Sequence, residues 1–173
     1  MFRKLIFMCC VCLISIISVS AQTKLTTEKY NVVREGGGVE GISVGRSSMD
    51  DVVKKFGKGY RWQVNKKYSY QMTYDRKGLS FYMCQSDKRK EIFLIEIKSP
   101  YKAKTSRGVI LGKSTKEETE KIYGKPKDGF EYRGVSFYYN KFKGRNLITE
   151  IDITENSGIR QCKINTTNNK WAI

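Results

Sequence analysis

The chain contains no histidine, and that absence removes several chemistries at once. A Ser-His-Asp or Cys-His nucleophile system cannot be built without an imidazole. Neither can a His-ligated zinc or non-haem iron site. Acids are scarce: 17 Asp and Glu stand against 33 Lys and Arg, for a formal charge of +16 at pH 7. Such an excess points towards anionic partners. No G-x-S-x-G turn, phosphate-binding glycine loop or metal-ligand spacing occurs. The segment Gly36-Gly37-Gly38 is not followed by a helix with phosphate-loop spacing. At 173 residues the chain holds one ordinary domain or two small ones. A non-catalytic protein with no cofactor and no metal is the expectation.

Long apolar runs are also missing, except at the start. Arg3 and Lys4 precede an uncharged apolar stretch, residues 5–19, followed by Ser20 and Ala21. A basic head, a short apolar middle and small residues at the end read as a secretory signal cleaved after Ala21. The stretch is short of the roughly 20 residues that span a bilayer. Cys9, Cys10 and Cys12 lie inside it rather than after it, so no lipid anchor is read. Removing residues 1–21 leaves 31 basic against 17 acidic residues, a charge of +14, and only Cys84 and Cys162. An exported chain meets an oxidising compartment, so these two are a candidate disulfide; two separate buried thiols are the alternative. No later run can form a transmembrane helix. The expected location is the periplasm or the medium.

What the sequence does have is self-similarity. Residues 41–51 align with 108–118, and the register holds to Lys58 against Lys125, at an offset of 67. Residues 74–82 align with 130–138, and 95–97 with 151–153, at an offset of 56. Ser48-x-x-Asp51 and Thr115-x-x-Glu118 are capping boxes, which predicts helices over Met49–Phe56 and Lys116–Tyr123. The caps account for one member of each carboxylate pair, Asp50-Asp51 and Glu117-Glu118, and the helix dipole favours the other. Gly57 and Gly124 stand where a left-handed residue ends a helix. Period-two alternation predicts strands around residues 68–74, 79–84 and 93–97, with a turn at Lys77-Gly78. Corresponding strands fall at 130–132, 135–139 and 147–153, and one more at 30–34. The fold expected is α+β: two tandem helix-plus-antiparallel-meander repeats, with the helices packed on one face of the sheet or sheets. The divisions are a signal at 1–21, a strand and Gly-rich linker at 22–40, and repeat 1 at 41–99. A linker at 100–107, repeat 2 at 108–154 and a tail at 155–173 follow.

The pattern of Gly45, Ser48, Asp51, Val52, Gly57, Gly78, Leu79, Phe81, Ile95 and Ile97 resembles the small-domain family of the β-lactamase inhibitory protein. It is also similar to the SmpA/OmlA outer-membrane assembly lipoproteins. It recurs at Gly112, Thr115, Glu118, Gly124, Pro126, Gly134, Val135, Phe137, Ile151 and Ile153. The tandem arrangement favours the inhibitory type. The matched positions are caps, turns and core residues, so the resemblance implies a protein-binding architecture and no particular target.

Two surfaces compete for a partner. Residues 52–74 hold no acid but carry Lys54, Lys55, Lys58, Arg61, Lys66 and Lys67; residues 97–116 hold none but carry Lys98, Lys102, Lys104, Arg107, Lys113 and Lys116. Either a solvated basic surface or an acidic protein or anionic envelope surface fits this charge. Export argues against nucleic acid. Tyr60 and Trp62 lie in or beside the stretch unique to the first copy; Trp62 and Tyr101 fall outside the aligned pattern, so these two are expected to be exposed. Tyr68, Tyr70 and Tyr74 read either as core or as an exposed aromatic row. The candidate partner-binding residues are Trp62, Tyr60, Lys66, Lys67, Tyr101 and Lys102. The expected function is an exported protein-binding module, an inhibitor of an envelope or secreted protein, with an envelope assembly component as the alternative.

Overall fold

The computed structural model describes residues 28–65, 68–158, 160 and 162. The expected signal at 1–21 and the candidate residues Lys66 and Lys67 lie outside the described residues. In chain order the elements are β1 (Asn31–Arg34), β2 (Gly38–Val39), β3 (Ile42–Ser43), α1 (Met49–Phe56), β4 (Arg61–Asn65), β5 (Ser69–Tyr74) and β6 (Leu79–Cys84). Then come β7 (Ile92–Lys98), β8 (Ala103–Thr105), α2 (Lys116–Tyr123), β9 (Glu131–Tyr132), β10 (Val135–Phe142) and β11 (Arg145–Thr154).

Both helices start where the capping boxes place them. Ser48 accepts from the Asp51 amide while the Asp51 carboxylate accepts from the Ser48 amide, and Thr115 and Glu118 repeat the exchange. This satisfies amides that the first turn would otherwise leave orphaned. The helix ends differ from expectation. Gly57 (φ 81°, ψ −171°) and Gly124 (φ 85°, ψ −169°) are not in the left-handed helical well. They occupy an extended region at positive φ that essentially only glycine adopts.

The α+β expectation of two helix-plus-meander repeats is wrong. Strand accounts for 47% and helix for 15% of the described residues, a β-rich fold built on two sheets. Three features produce the difference. Each helix is only two turns long, too short to form a layer without a sheet beneath it. The meanders do not form separate units: β7 pairs with β11, Ile97 opposite Ile151 and Ile95 opposite Ile153, giving one seven-stranded sheet in the order β4-β5-β6-β7-β11-β10-β9. Segments outside the meanders build a second sheet, β3-β2-β1-β8, in which the expected strand β1 runs parallel to β8, a segment read as linker.

The large sheet has one apolar face. Met72, Leu79, Phe81, Met83, Ile95, Ile97, Val135, Phe137, Ile151 and Ile153 are buried there. Helix α1 sets Phe56 against Tyr74 and Phe81, at ring distances of 5.5 and 5.7 Å. Helix α2 sets Tyr123 against Phe137 at 5.1 Å. Val33, Val39 and Ile42 of the small sheet join the same cluster, so both sheets share one core. Each fully buried Phe, Ile, Leu or Met stabilises this core by about 1.5–3 kcal/mol.

Cys84 at the end of β6 is bonded to Cys162, 78 residues away in sequence, which removes the alternative of two free thiols. Arg160 on the way there donates to Glu91 and Glu155, each at 2.6 Å.

Gly78 closes the β5–β6 connection at φ 67°, and a Cβ there would lie 2.1 Å from the Lys98 carbonyl oxygen. Neither the backbone angle nor the space suits a side chain. Gly78→Ala is therefore expected to cost about 2 kcal/mol or more, read as a lower urea midpoint; an unchanged midpoint contradicts this packing.

Candidate functional site

The face of the large sheet opposite the core carries the polar partners of the alternating pattern. In register across all seven strands stand Arg61, Thr73, Ser80, Glu96, Asp152, Ser136 and Glu131. Directly opposed residues on neighbouring strands share a face, with Cβ atoms about 5 Å apart. Ser80 and Ser136 are 56 apart in sequence, as are Glu96 and Asp152, so the offset seen in the sequence reappears within this row.

The row is tightly bonded on one side. Thr73 and Ser80 hydroxyls meet at 3.2 Å, and the Tyr82 hydroxyl donates to Glu96 at 2.9 Å. Lys98 Nζ lies 3.0 Å from both Glu96 and Glu150. Asp152 is 6% exposed and Ser136 1% exposed, yet Asp152 Oδ1 and Ser136 Oγ have no hydrogen-bond partner among the described residues. Burial, and then the charges of Glu150 and Glu96, push the Asp152 carboxyl up to about 8, against the pull of Lys98. Burial with the same two acids raises the Tyr82 hydroxyl, and the Tyr138 hydroxyl is pushed up to about 12 by burial and by Asp152 and Glu150. A cleft of about 290 Å³ opens beside the row, lined in part by Arg61, Thr73, Ser80, Glu96 and Lys98.

The second surface is the outer edge at β4. Among the described residues, β4 pairs only with β5. Trp62 stands opposite Met72 and Val64 opposite Tyr70, so both continue the apolar face sideways. They overhang rather than join the core: Met72 is wholly buried, whereas Trp62 is 38% and Val64 63% exposed. Trp62 stacks on Tyr70 at 4.9 Å, Tyr60 packs on Tyr74 at 5.8 Å, and the Lys90 ammonium sits 4.8 Å from the Tyr70 ring centre. The result is an aromatic shelf on a strand whose outer side pairs with no described residue.

The predicted partner-binding residues are thus divided. Tyr60 and Trp62 meet on the shelf. Tyr101 does not join them: it is buried at 9% exposure, its hydroxyl donating to Glu40 at 2.8 Å. Burial and Glu40 raise that hydroxyl's pKa. Lys102 pairs with Glu28 at 3.1 Å. The three ambiguous tyrosines separate as well: Tyr74 is core, Tyr70 half-buried and Tyr68 exposed.

The two acid-free stretches differ in the same way. In the second, Lys98, Lys102, Lys113 and Lys116 all pair with acids, and Arg107 lies over the Tyr123 ring. In the first, Arg61 is held by Asp75 at 3.0 Å and Lys55 reaches Glu40 only at 4.0 Å. Lys54 and Lys58 make no ion pair with a described residue. No described helix is long and apolar enough to cross a membrane. No protein family, curated protein or solved structure matches the chain.

Proposed function

We propose that the chain is an exported, non-catalytic protein-binding module that takes up an extended acidic segment of its partner beside β4. The observation that carries this reading is the aromatic overhang on an edge strand: Trp62 and Val64 extend the core face past the cover of α1. An edge strand with free backbone groups is a template for an added strand. Main-chain bonds supply affinity in that mode, and alternate side chains supply selectivity. Apolar residues of the partner would lie beside Trp62 and Val64. Acidic residues suit Lys58, just before β4, and the sequence adds Lys66 and Lys67 between β4 and β5. The Cys84–Cys162 bond supports an oxidising compartment, as does the basic-apolar-small pattern of the first 21 residues. The resemblance to the inhibitory-protein family points the same way, towards recognition of a secreted or envelope protein.

The test uses two labelled peptides of alternating valine with glutamate or with lysine, read by fluorescence anisotropy. The glutamate peptide is expected to bind, to weaken with salt, and to lose about thirtyfold in affinity in Trp62→Ala. Equal binding of both peptides, or full affinity in Trp62→Ala, contradicts the proposal.

A further inference from the structure

The polar row on the far side of the sheet contains more oxygen donors than its bonds use. Glu96, Glu150 and Asp152 each offer a carboxylate oxygen, and these three atoms lie within 4.8 Å of one another. An acidic cluster alone is unremarkable on a surface, but this one is partly buried and incompletely bonded. Asp152 Oδ1 is buried without a hydrogen-bond partner among the described residues. Ser136 Oγ, directly opposite Asp152 on β10 and 1% exposed, is buried without one as well. Two unmet oxygens beside two further carboxylates describe a place that is short of a cation. A buried polar atom left unsatisfied forfeits the bonds it made to water, so such atoms call for an explanation.

We propose that Glu96, Glu150 and Asp152, with the Ser136 hydroxyl, form a calcium site on the open face of the seven-stranded sheet. The donor set is all oxygen, which suits a hard divalent cation and not zinc or copper. Calcium takes six to eight oxygens in flexible geometry, whereas magnesium demands a near-ideal octahedron and keeps several of its waters, so three carboxylates and a hydroxyl supplied by β7, β11 and β10 suit calcium better. The rigid placement comes from the sheet itself, since β7 and β11 are paired in register over residues 94–98 and 150–154. The adjoining cleft, lined in part by Glu96 and Lys98, gives access from solvent.

Lys98 is the competitor. Its ammonium is 3.0 Å from both Glu96 and Glu150, and the side chain is about half-exposed at 47%. An ammonium on a long stem can stand in for a cation and then swing into water when a divalent ion arrives. It cannot serve Asp152 Oδ1, which remains without a partner while Lys98 is in place.

Calorimetric titration of calcium chloride into the chain, with thermal melts alongside, tests the proposal. One calcium per chain and a rise in Tm with calcium are expected, with weaker binding of magnesium. Asp152→Asn and Glu150→Gln are expected to weaken calcium binding about tenfold or more, each checked for an unchanged near-ultraviolet circular dichroism spectrum. Lys98→Met is expected to tighten it several-fold, because the competing charge is gone. Absence of heat and of any Tm shift in the wild type at about 10 mM calcium, beyond the weakest extracellular sites, overturns the proposal. So does binding confined to Lys98→Met, which makes the lysine the resident cation, or binding undiminished in both carboxylate variants.

Discussion

Reduction of the Cys84–Cys162 bond is expected to lower the unfolding free energy by roughly 4 kcal/mol. The bond closes a loop spanning 78 residues of sequence separation, and a loop of that length removes much freedom from the unfolded chain. It also ties the end of β6 to the segment beyond β11, two elements separated in the sheet by β7. Arg160 then reaches Glu91 and Glu155. Once the bond is open, that arginine must be ordered at the expense of a freer tail, so its two contacts weaken too. For a chain of this size each kcal/mol moves Tm by about 2–4 °C, so a drop near 10 °C is expected. Thermal melts with and without reductant, and of a Cys84→Ala/Cys162→Ala double variant, should agree. A shift below about 2 °C in both contradicts the view that the tail is a structural part of the domain.

The second large effect is a stability that depends on pH through Asp152. Its folded-state pKa is raised from 3.8 to about 8, first by burial, then by Glu150 and Glu96. The folded chain therefore holds a proton that the unfolded chain releases. Stability from this group is fully present below pH 3.8 and is lost as pH rises towards 8. The slope between these limits is about 1.4 kcal/mol per pH unit, and the curve flattens above. The groups facing Asp152 are Glu96 and Lys98 on β7, Glu150 on its own strand, Tyr138 on β10 and Tyr82 on β6. The two tyrosine hydroxyls are raised and stay neutral throughout this window. Asp152→Asn keeps the shape and removes the titration. With chelator present, the variant is expected to match the wild type near pH 4 and to exceed it by a few kcal/mol at pH 8. Urea unfolding across that range measures the difference; parallel curves contradict it. A carboxyl that lowers stability at neutral pH is what a binding site retains at the expense of the fold.

Local features were legible from the chain because local physics sets them. The capping boxes fixed the starts of α1 and α2 at Ser48 and Thr115, and the glycines after them marked the ends. Alternation fixed which side chains of β6 enter the core: Leu79, Phe81 and Met83, with Ser80 and Tyr82 opposite. What escaped was non-local. The pairing of β1 with β8 joins Asn31 to Ala103 and leaves no periodic signal, and β2 and β3 are two-residue strands beside glycines. β2 and β8 fall in stretches that read as linkers, and β3 opens the first repeat without a strand signal, so a β-rich fold reads as two helix-plus-meander units. Tyr101 was expected at the surface for lack of a matching partner in the aligned pattern. It is buried, and its hydroxyl donates to Glu40, 61 residues away.

Part of the candidate site did carry a signal. Residues 61–65 alternate Arg, Trp, Gln, Val, Asn, a strand pattern inside what looked like an inserted loop. Reading it as a strand would have placed Trp62 and Val64 on one face. The acid row was also traceable, since Ser80 and Ser136, and Glu96 and Asp152, are equivalent under the offset of 56. Those positions were passed over because polar residues between core positions ordinarily face water.

The claim that β4 is the docking edge makes a residue-level statement about backbone hydrogen bonds. Amide hydrogen exchange of the oxidised chain, with and without the valine–glutamate peptide, measures it directly. Protection should rise in residues 61–65 and remain unchanged in β9, the opposite edge of the same sheet. Binding of the peptide without added protection in residues 61–65 would contradict the account.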